Sequence, residues 1–250
     1  MNLFDLKGKT AVVTGASTGL GRAMTLALAA SGADILLVDH SKKEETAREV
    51  RTLGRKAVAM EADLARMDSA EKIVGKAIVE FGKVDILVNN AGIIRRAPAL
   101  EFSEQDWDDV LAVNAKSVFF LAQAAARDMM KRKSGKIINV ASLLSFQGGI
   151  LVPSYAASKG AVAQLTKSLA NELAAYGITV NAIAPGYMET NNTKALREDP
   201  VRSKSILERI PAGRWGVPDD LGGAVVFLAS SASDYVNGHV LVVDGGWMAR

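Results

Sequence analysis

Cysteine is absent from this chain. No disulfide can form, no thiolate can hold a metal, and no cysteine can serve as a nucleophile. Histidine is nearly absent: His40 and His239 stand far apart in sequence, so a histidine-built metal site is not expected. No run is long and charge-free enough to span a bilayer, and Met1 to Lys9 carries charge early without the apolar centre of a signal segment. Membrane attachment is therefore not expected, and a reducing cytoplasm suits these absences. Net charge is only +3, with the basic residues scattered. The one compact basic cluster, Lys131-Arg132-Lys133, precedes Ser134-Gly135 and reads as the cationic end of a helix, not as a nucleic-acid contact.

With 250 residues, 49% of them hydrophobic, the chain can bury a sizeable core as one domain spanning 1–250. Short β-rich runs alternate with longer helical patterns. The expected strands are Thr10–Val13, Ile35–Val38, Ala57–Met60, Ile86–Val88, Lys136–Val140, Thr179–Ala182 and Val240–Val243. The expected helices lie near 20–31, 43–53, 68–81, 104–130, 155–175 and 218–230, the fourth opened by a Ser103 cap and the last by Pro218. This alternation predicts right-handed crossovers and a doubly wound, Rossmann-type parallel sheet of about seven strands with helices on both faces. Apolar runs such as Ile35-Leu-Leu-Val38 agree with strands buried on both sides. The long segment 184–217 breaks the regularity with three prolines and many polar residues. Such a length implies a functional lid or a short helical excursion, and its position after the sixth strand makes it a substrate cover over the carboxyl edge, where open α/β sheets bind ligands.

The first strand runs into Thr14-Gly15-Ala16-Ser17-Thr18-Gly19-Leu20-Gly21, and an alanine-rich helical stretch follows. Glycines allow a tight turn and close backbone approach, and a helix N-terminus stabilises a pyrophosphate. The spacing is Gly-x-x-x-Gly-x-Gly, so the generic dinucleotide fingerprint is not matched literally. Ser142, Tyr155 and Lys159 give this loop its meaning. Tyr155 and Lys159 are four apart, hence on one helix face. Reducing a ketone requires a proton for the developing alkoxide, and a free tyrosine, with a pKa of about 10, is a poor base at neutral pH. A neighbouring ammonium favours the phenolate and moves the group toward its working range. Ser142 can donate a hydrogen bond to the substrate oxygen. A scaffold that binds the cofactor without turnover would be expected to lose one of the three, and all are present.

Over essentially its whole length the chain resembles the short-chain dehydrogenase/reductase family. The motifs that carry the resemblance are Thr14–Gly21, Asp63-Leu64, Asn89-Asn-Ala-Gly92, Asn114, Ser142, Tyr155-x-x-x-Lys159 and Pro185-Gly-Tyr-Met-Glu-Thr190. The resemblance implies Tyr155 as catalytic acid/base, with Lys159 on the nicotinamide ribose and tuning the tyrosine. It also implies Ser142 as substrate polariser and Asn114 as anchor of a water-mediated proton relay. Gly15, Ser17, Thr18, Gly19, Leu20 and Gly21 would cradle the phosphates. Asp63, beside Leu64, would contact adenine; Asn90, Ala91 and Gly92 would border its ribose. Pro185, Gly186, Met188 and Thr190 would hold the nicotinamide end. Asn114 reads alternatively as a buried packing amide, and Asp63 as a turn or cap residue.

Asp39 ends the second strand, eighteen residues after Gly21, where an acid accepts bonds from a ribose 2′-hydroxyl and repels a 2′-phosphate. With neutral Thr18 in the loop, NAD is the expected cofactor; Lys42 and Lys43 dissent or merely open the next helix. The segments Ile93–Arg96, Ala99–Val110, Ser145–Ile150, Tyr187–Thr193, Arg209–Gly216 and the tail from Asp234 look more narrowly like the 2-dehydro-3-deoxy-D-gluconate 5-dehydrogenases. That resemblance implies a keto-uronate substrate from pectin breakdown. Gluconate 5-dehydrogenase and 3-oxoacyl-carrier-protein reductase remain as alternatives. Arg95, Arg96 and Arg214 are the expected carboxylate clamp, with Arg250 arriving from a neighbouring subunit if the tail crosses an interface. Family resemblance further implies a homotetramer through the helices near 104–130 and 155–175 and the last strand.

Overall fold

The computed structural model describes residues 2–41 and 44–250, so Lys42 and Lys43 lie outside the described residues. Its strands are β1 (Thr10–Thr14), β2 (Asp34–Asp39), β3 (Ala57–Glu61), β4 (Ile86–Asn89), β5 (Gly135–Val140), β6 (Ile178–Pro185) and β7 (Val240–Val243). They form one sheet of order β3-β2-β1-β4-β5-β6-β7 with every pairing parallel. The helices are α1 (Gly19–Ala30), α2 (Glu44–Thr52), α3 (Ser69–Phe81), α4 (Glu104–Leu111), α5 (Ser117–Arg132), α6 (Pro153–Leu173), α7 (Lys194–Glu198), α8 (Pro200–Leu207) and α9 (Gly222–Ala229).

Side chains alternate across a strand, and here the alternation sorts the core into two layers. Ala11, Val13, Ile35 and Leu37 pack on one face with Met24 and Leu28 of α1 and Val225 and Leu228 of α9. Val12, Leu36 and Val38 face the other way, onto Ile73 of α3 and Leu121 and Met129 of α5. Each such leucine or isoleucine taken fully from water contributes roughly 1.5–3 kcal/mol. Burial on both faces is why the strand sequences read as continuous apolar runs.

One segment departs from the sequence expectation, and a second takes one of the two forms expected of it. The helix anticipated near 104–130 is interrupted: α4 passes through a π turn, Ala112–Lys116, into α5. Ser103 caps α4 as expected, its hydroxyl accepting from Asp106 N at 3.1 Å. The cover is a helical excursion: β6 takes its first two residues, and a 3₁₀ turn at Asn191–Thr193, α7 and α8 follow. Asp199 starts α8 by accepting from Val201 N and Arg202 N, with Pro200 at the first helical position.

β1 lies between β2 and β4, so the chain leaves β1 toward one side and returns on the other. A crevice opens at the carboxyl ends of these strands, the topological switch point of the sheet. The glycine loop after β1 and the Asn90–Gly92 turn after β4 form its lips.

Candidate active site

A cleft of about 570 Å³ occupies this crevice, walled by Gly15, Thr18–Gly21, Asp39, Asp63, Leu64, Asn90–Gly92, Tyr155, Lys159 and Thr190 among others. The floor is made by close backbone approach. A β-carbon on Gly21 would sit 2.0 Å from Gly15 O and 2.4 Å from Asn90 Nδ2, so no other residue fits. Asn90 ties the lips together, donating from Nδ2 to Thr14 O at 2.9 Å and Gly15 O at 3.2 Å. Thr18 precedes α1 in extended conformation and makes no side-chain cap, which leaves first-turn amides free for an anion. The Asp39 carboxylate accepts from Ser17 N at 3.1 Å and His40 N at 2.8 Å, fixing it at the rim. These features fit a dinucleotide: amides and the positive helix end for the phosphates, a fixed acid for a ribose hydroxyl.

Some residues stand elsewhere than the sequence suggested. Ser17 lies behind the wall, its carbonyl accepting from Thr46. Met188 buries its side chain in the core and does not line the cleft. Pro185 and Gly186 line a neighbouring cavity instead of the cleft. Asp63 caps its own turn through Ala65 N at 2.9 Å while still lining the cleft.

At the inner end of the cleft the structure brings Asn114, Ser142, Tyr155 and Lys159 together. Ser142 follows β5; Tyr155 and Lys159 share one face of α6. Asn114, in the π turn, is fully buried. Its Oδ1 accepts from Ile93 N at 2.8 Å, and Nδ2 donates to Ile93 O at 2.9 Å and Ser158 Oγ at 3.1 Å. Ser158 donates to Tyr155 O at 2.7 Å, so the amide braces the turn of α6 that carries the tyrosine. The packing role read as an alternative for Asn114 is thus what its side chain does here.

Lys159 Nζ donates to Val140 O at 2.6 Å and lies 5.6 Å from the Tyr155 ring centroid. Burial lowers the ammonium to about 8. Burial also raises the Tyr155 phenol, opposed by a hydrogen bond with Ser142 and by the charge of Arg96. Desolvation is the larger effect on the phenol, and the cation that opposes it is Arg96.

Tyr155 also walls a second cavity, of about 410 Å³, with Arg96, Ser142, Gln147, Tyr187, Arg202, Arg209 and Trp247 among its lining. Among the described residues no aspartate or glutamate lines it. Arg96 reaches the rim and donates to Asn192 O at 2.8 Å. Arg95 instead pairs with Asp106 at 3.2 Å and Asp109 at 3.8 Å on α4. Arg214 is held by both oxygens of Asp220, at 2.7 and 2.9 Å, outside this cavity. Arg250 donates to Glu208 O and Arg209 O of its own chain. Arg95 and Arg214 are therefore corrected as clamp residues: each already has a carboxylate. Arg202 and Arg209 are not singled out by the sequence, because reading 184–217 as a lid or short helical excursion places no helix face within it; the Asp199-Pro200 helix start was the available signal.

The chain belongs to the short-chain dehydrogenase/reductase family, a group of nicotinamide-cofactor oxidoreductases. Residues 15–248 match the family model described as Enoyl-(Acyl carrier protein) reductase. The chain is 59% identical to a 2-dehydro-3-deoxy-D-gluconate 5-dehydrogenase of Dickeya dadantii, covering 100% of this chain and 99% of the relative. A crystal structure of a putative 2-deoxy-D-gluconate 3-dehydrogenase from Agrobacterium tumefaciens with bound NADP is 55% identical over 100% of both chains, with a TM-score of 0.94. A gluconate 5-dehydrogenase of Burkholderia cenocepacia, in complex with NADP and tartrate, is 43% identical over 100% of this chain and 98% of the other, with a TM-score of 0.94.

Proposed function

We propose that this protein interconverts 2-dehydro-3-deoxy-D-gluconate and 3-deoxy-D-glycero-2,5-hexodiulosonate, a step in the catabolism of pectin-derived uronates. The observation that carries the reading is the second cavity: Arg96, Arg202 and Arg209 line it with no carboxylate among its described walls. An anionic, hydroxyl-rich substrate supplies a counter-charge to these guanidinium groups that an acyl chain lacks. The likeness to sugar-acid dehydrogenases supports the same reading.

Roles follow from position. The nicotinamide, when bound, supplies or receives the hydride. Tyr155 gives its phenol proton to the carbonyl oxygen in reduction and takes it back in oxidation. Ser142 donates a hydrogen bond to that oxygen, and Lys159 holds the cofactor ribose. Asn114 braces α6 and anchors the proton path. The cleft residues Gly15, Thr18–Gly21, Asp39, Asp63, Leu64, Asn90–Gly92 and Thr190 hold the dinucleotide. Asp39 selects NAD over NADP, although the two related structures contain NADP. We read the chain as one cytoplasmic domain acting as a homotetramer. In support, all four residues of the apolar edge strand β7 are only partly buried.

The test is NADH oxidation with purified enzyme against the diketo acid, 5-keto-D-gluconate and an acetoacetyl thioester. The diketo acid should give the highest kcat/KM. Preference for the thioester would overturn the reading; preference for 5-keto-D-gluconate would support gluconate 5-dehydrogenase, which the tartrate-bound relative favours.

A further inference from the structure

Two arginines of the second cavity face a different neighbour from the third. Arg96 comes from the segment after β4 and donates to Asn192 O, whereas Arg202 and Arg209 come from the cover and line the cavity with Tyr187, whose phenol burial raises against the opposing charge of both. The cavity thus takes one cation from the segment after β4 and a pair from the cover. The pair is placed by helix periodicity. Arg202, Ser205, Ile206 and Arg209 all line the cavity, a spacing that puts them along one face of α8 and its continuation.

The surroundings of the pair are rigid. Arg209 stacks on Trp247, its guanidinium carbon 4.0 Å from the ring centroid. A guanidinium over an aromatic face can still offer N–H groups to a carboxylate. Trp247 packs on Tyr187 at 4.6 Å between centroids and donates from Nε1 to Gln147 at 3.2 Å. The turn that delivers Trp247 is itself fixed: Asp244 accepts from Gly246 N at 2.8 Å and Met248 N at 2.7 Å, and Gly246 adopts φ +93°. Arg250 closes the arrangement by donating to the Glu208 and Arg209 carbonyls, which straps the tail to the end of α8.

We propose that Arg202 and Arg209, backed by Tyr187 and Trp247, form the carboxylate-binding end of the substrate cavity and set its specificity for sugar acids. The proposal deepens the function proposed above and rests on that site. Arg96 then stays with the carbonyl end, so the substrate lies with its carboxylate at α8 and its reacting carbon at Tyr155. A forked, charge-assisted contact answers two guanidinium groups that a neutral polyol would leave without a counter-ion.

Calorimetric titration of the enzyme–NADH complex tests this without turnover, because gluconate and NADH are both already reduced. The probes are D-gluconate and D-glucitol, which differ at one end by carboxylate against hydroxymethyl. The wild type should prefer gluconate at least tenfold. Arg202→Ala and Arg209→Ala should each reduce that preference by about 10-fold or more, the range for a lost hydrogen bond to a charged group. Arg95→Ala, on a guanidinium already paired with α4, should keep the preference. Retention of the full preference in both the Arg202 and the Arg209 variants would overturn the proposal, as would an equal loss in Arg95→Ala. A wild type that binds gluconate through these arginines but does not reduce the diketo acid would sink the substrate reading alone. A wild type that reduces the diketo acid without preferring gluconate would sink this proposal alone.

Discussion

The two cavities that meet at Tyr155 are made of different material. The cofactor cleft is built from strand ends and tight turns, and its contacts are backbone amides, glycines and short side chains. Its charged walls include Asp39, Asp63 and Glu189. The second cavity is built from the 142–155 segment, the cover and Trp247, with long arginines and aromatics and no acid among the described lining residues. The difference tracks the ligands proposed for each. A dinucleotide carries invariant phosphates and ribose hydroxyls, which fixed backbone can meet. A sugar acid differs from other carbonyl compounds in charge and hydroxyl pattern, which side chains on a variable excursion can meet.

The largest expected effect is at the shared wall. Tyr155→Phe keeps the ring that both cavities touch and removes the proposed proton-transfer group. Turnover should fall about 10²–10⁴-fold, the usual contribution of general acid–base catalysis, while NADH binding by fluorescence titration persists. Near-normal turnover in the purified variant would remove Tyr155 from the proton path.

The next effect probes the cleft alone. Asp39→Ala removes the fixed carboxylate that accepts from Ser17 N and His40 N. The ratio of kcat/KM for NADH over NADPH should fall by about 10–100-fold, since like charges brought together cost several kcal/mol. Relative affinity for gluconate over glucitol should not move, because that discrimination is assigned to the other cavity. A wild type that already prefers NADPH would contradict the role given to Asp39.

These differences in material also explain what could be read from sequence. The parallel sheet was legible because burial on both faces leaves runs such as Ile35-Leu-Leu-Val38, and the cleft because its glycines and Asn90 are spaced by backbone geometry. The π turn at Ala112–Lys116 was not legible, since a single such turn inside an apolar helical run carries no residue signal of its own. Arg95, Arg96 and Arg214 looked equivalent as unpaired cations. Only the positions of Asp106, Asp109 and Asp220 separate them, and those acids are brought up by other elements. Arg202 and Arg209 became visible as a pair once α8 turned one face to the cavity.

The smallest effect concerns stability, and it sets the inner end of the cleft against the rest of the core. Lys159 is 4% exposed, and burial holds its ammonium at about 8 instead of the ordinary 10.5. A lysine lowered in this way costs the folded state rather than supporting it. Below pH 8 both folded and unfolded chains carry the proton, so the cost is fully present, up to about 3 kcal/mol by linkage. Between pH 8 and 10.5 the folded form releases the proton while the unfolded chain keeps it, and the cost fades as pH rises. Lys159→Met should therefore melt higher than wild type in the cofactor-free protein at pH 7, by roughly 5 °C or more at a few degrees per kcal/mol. The gap should narrow between pH 8 and 10.5, and turnover should be lost throughout. A wild type that melts higher at pH 7 would mean that the bond from Lys159 to Val140 O outweighs desolvation. The buried cation would then belong energetically to the core it sits in, and the inner cleft would no longer stand apart from it.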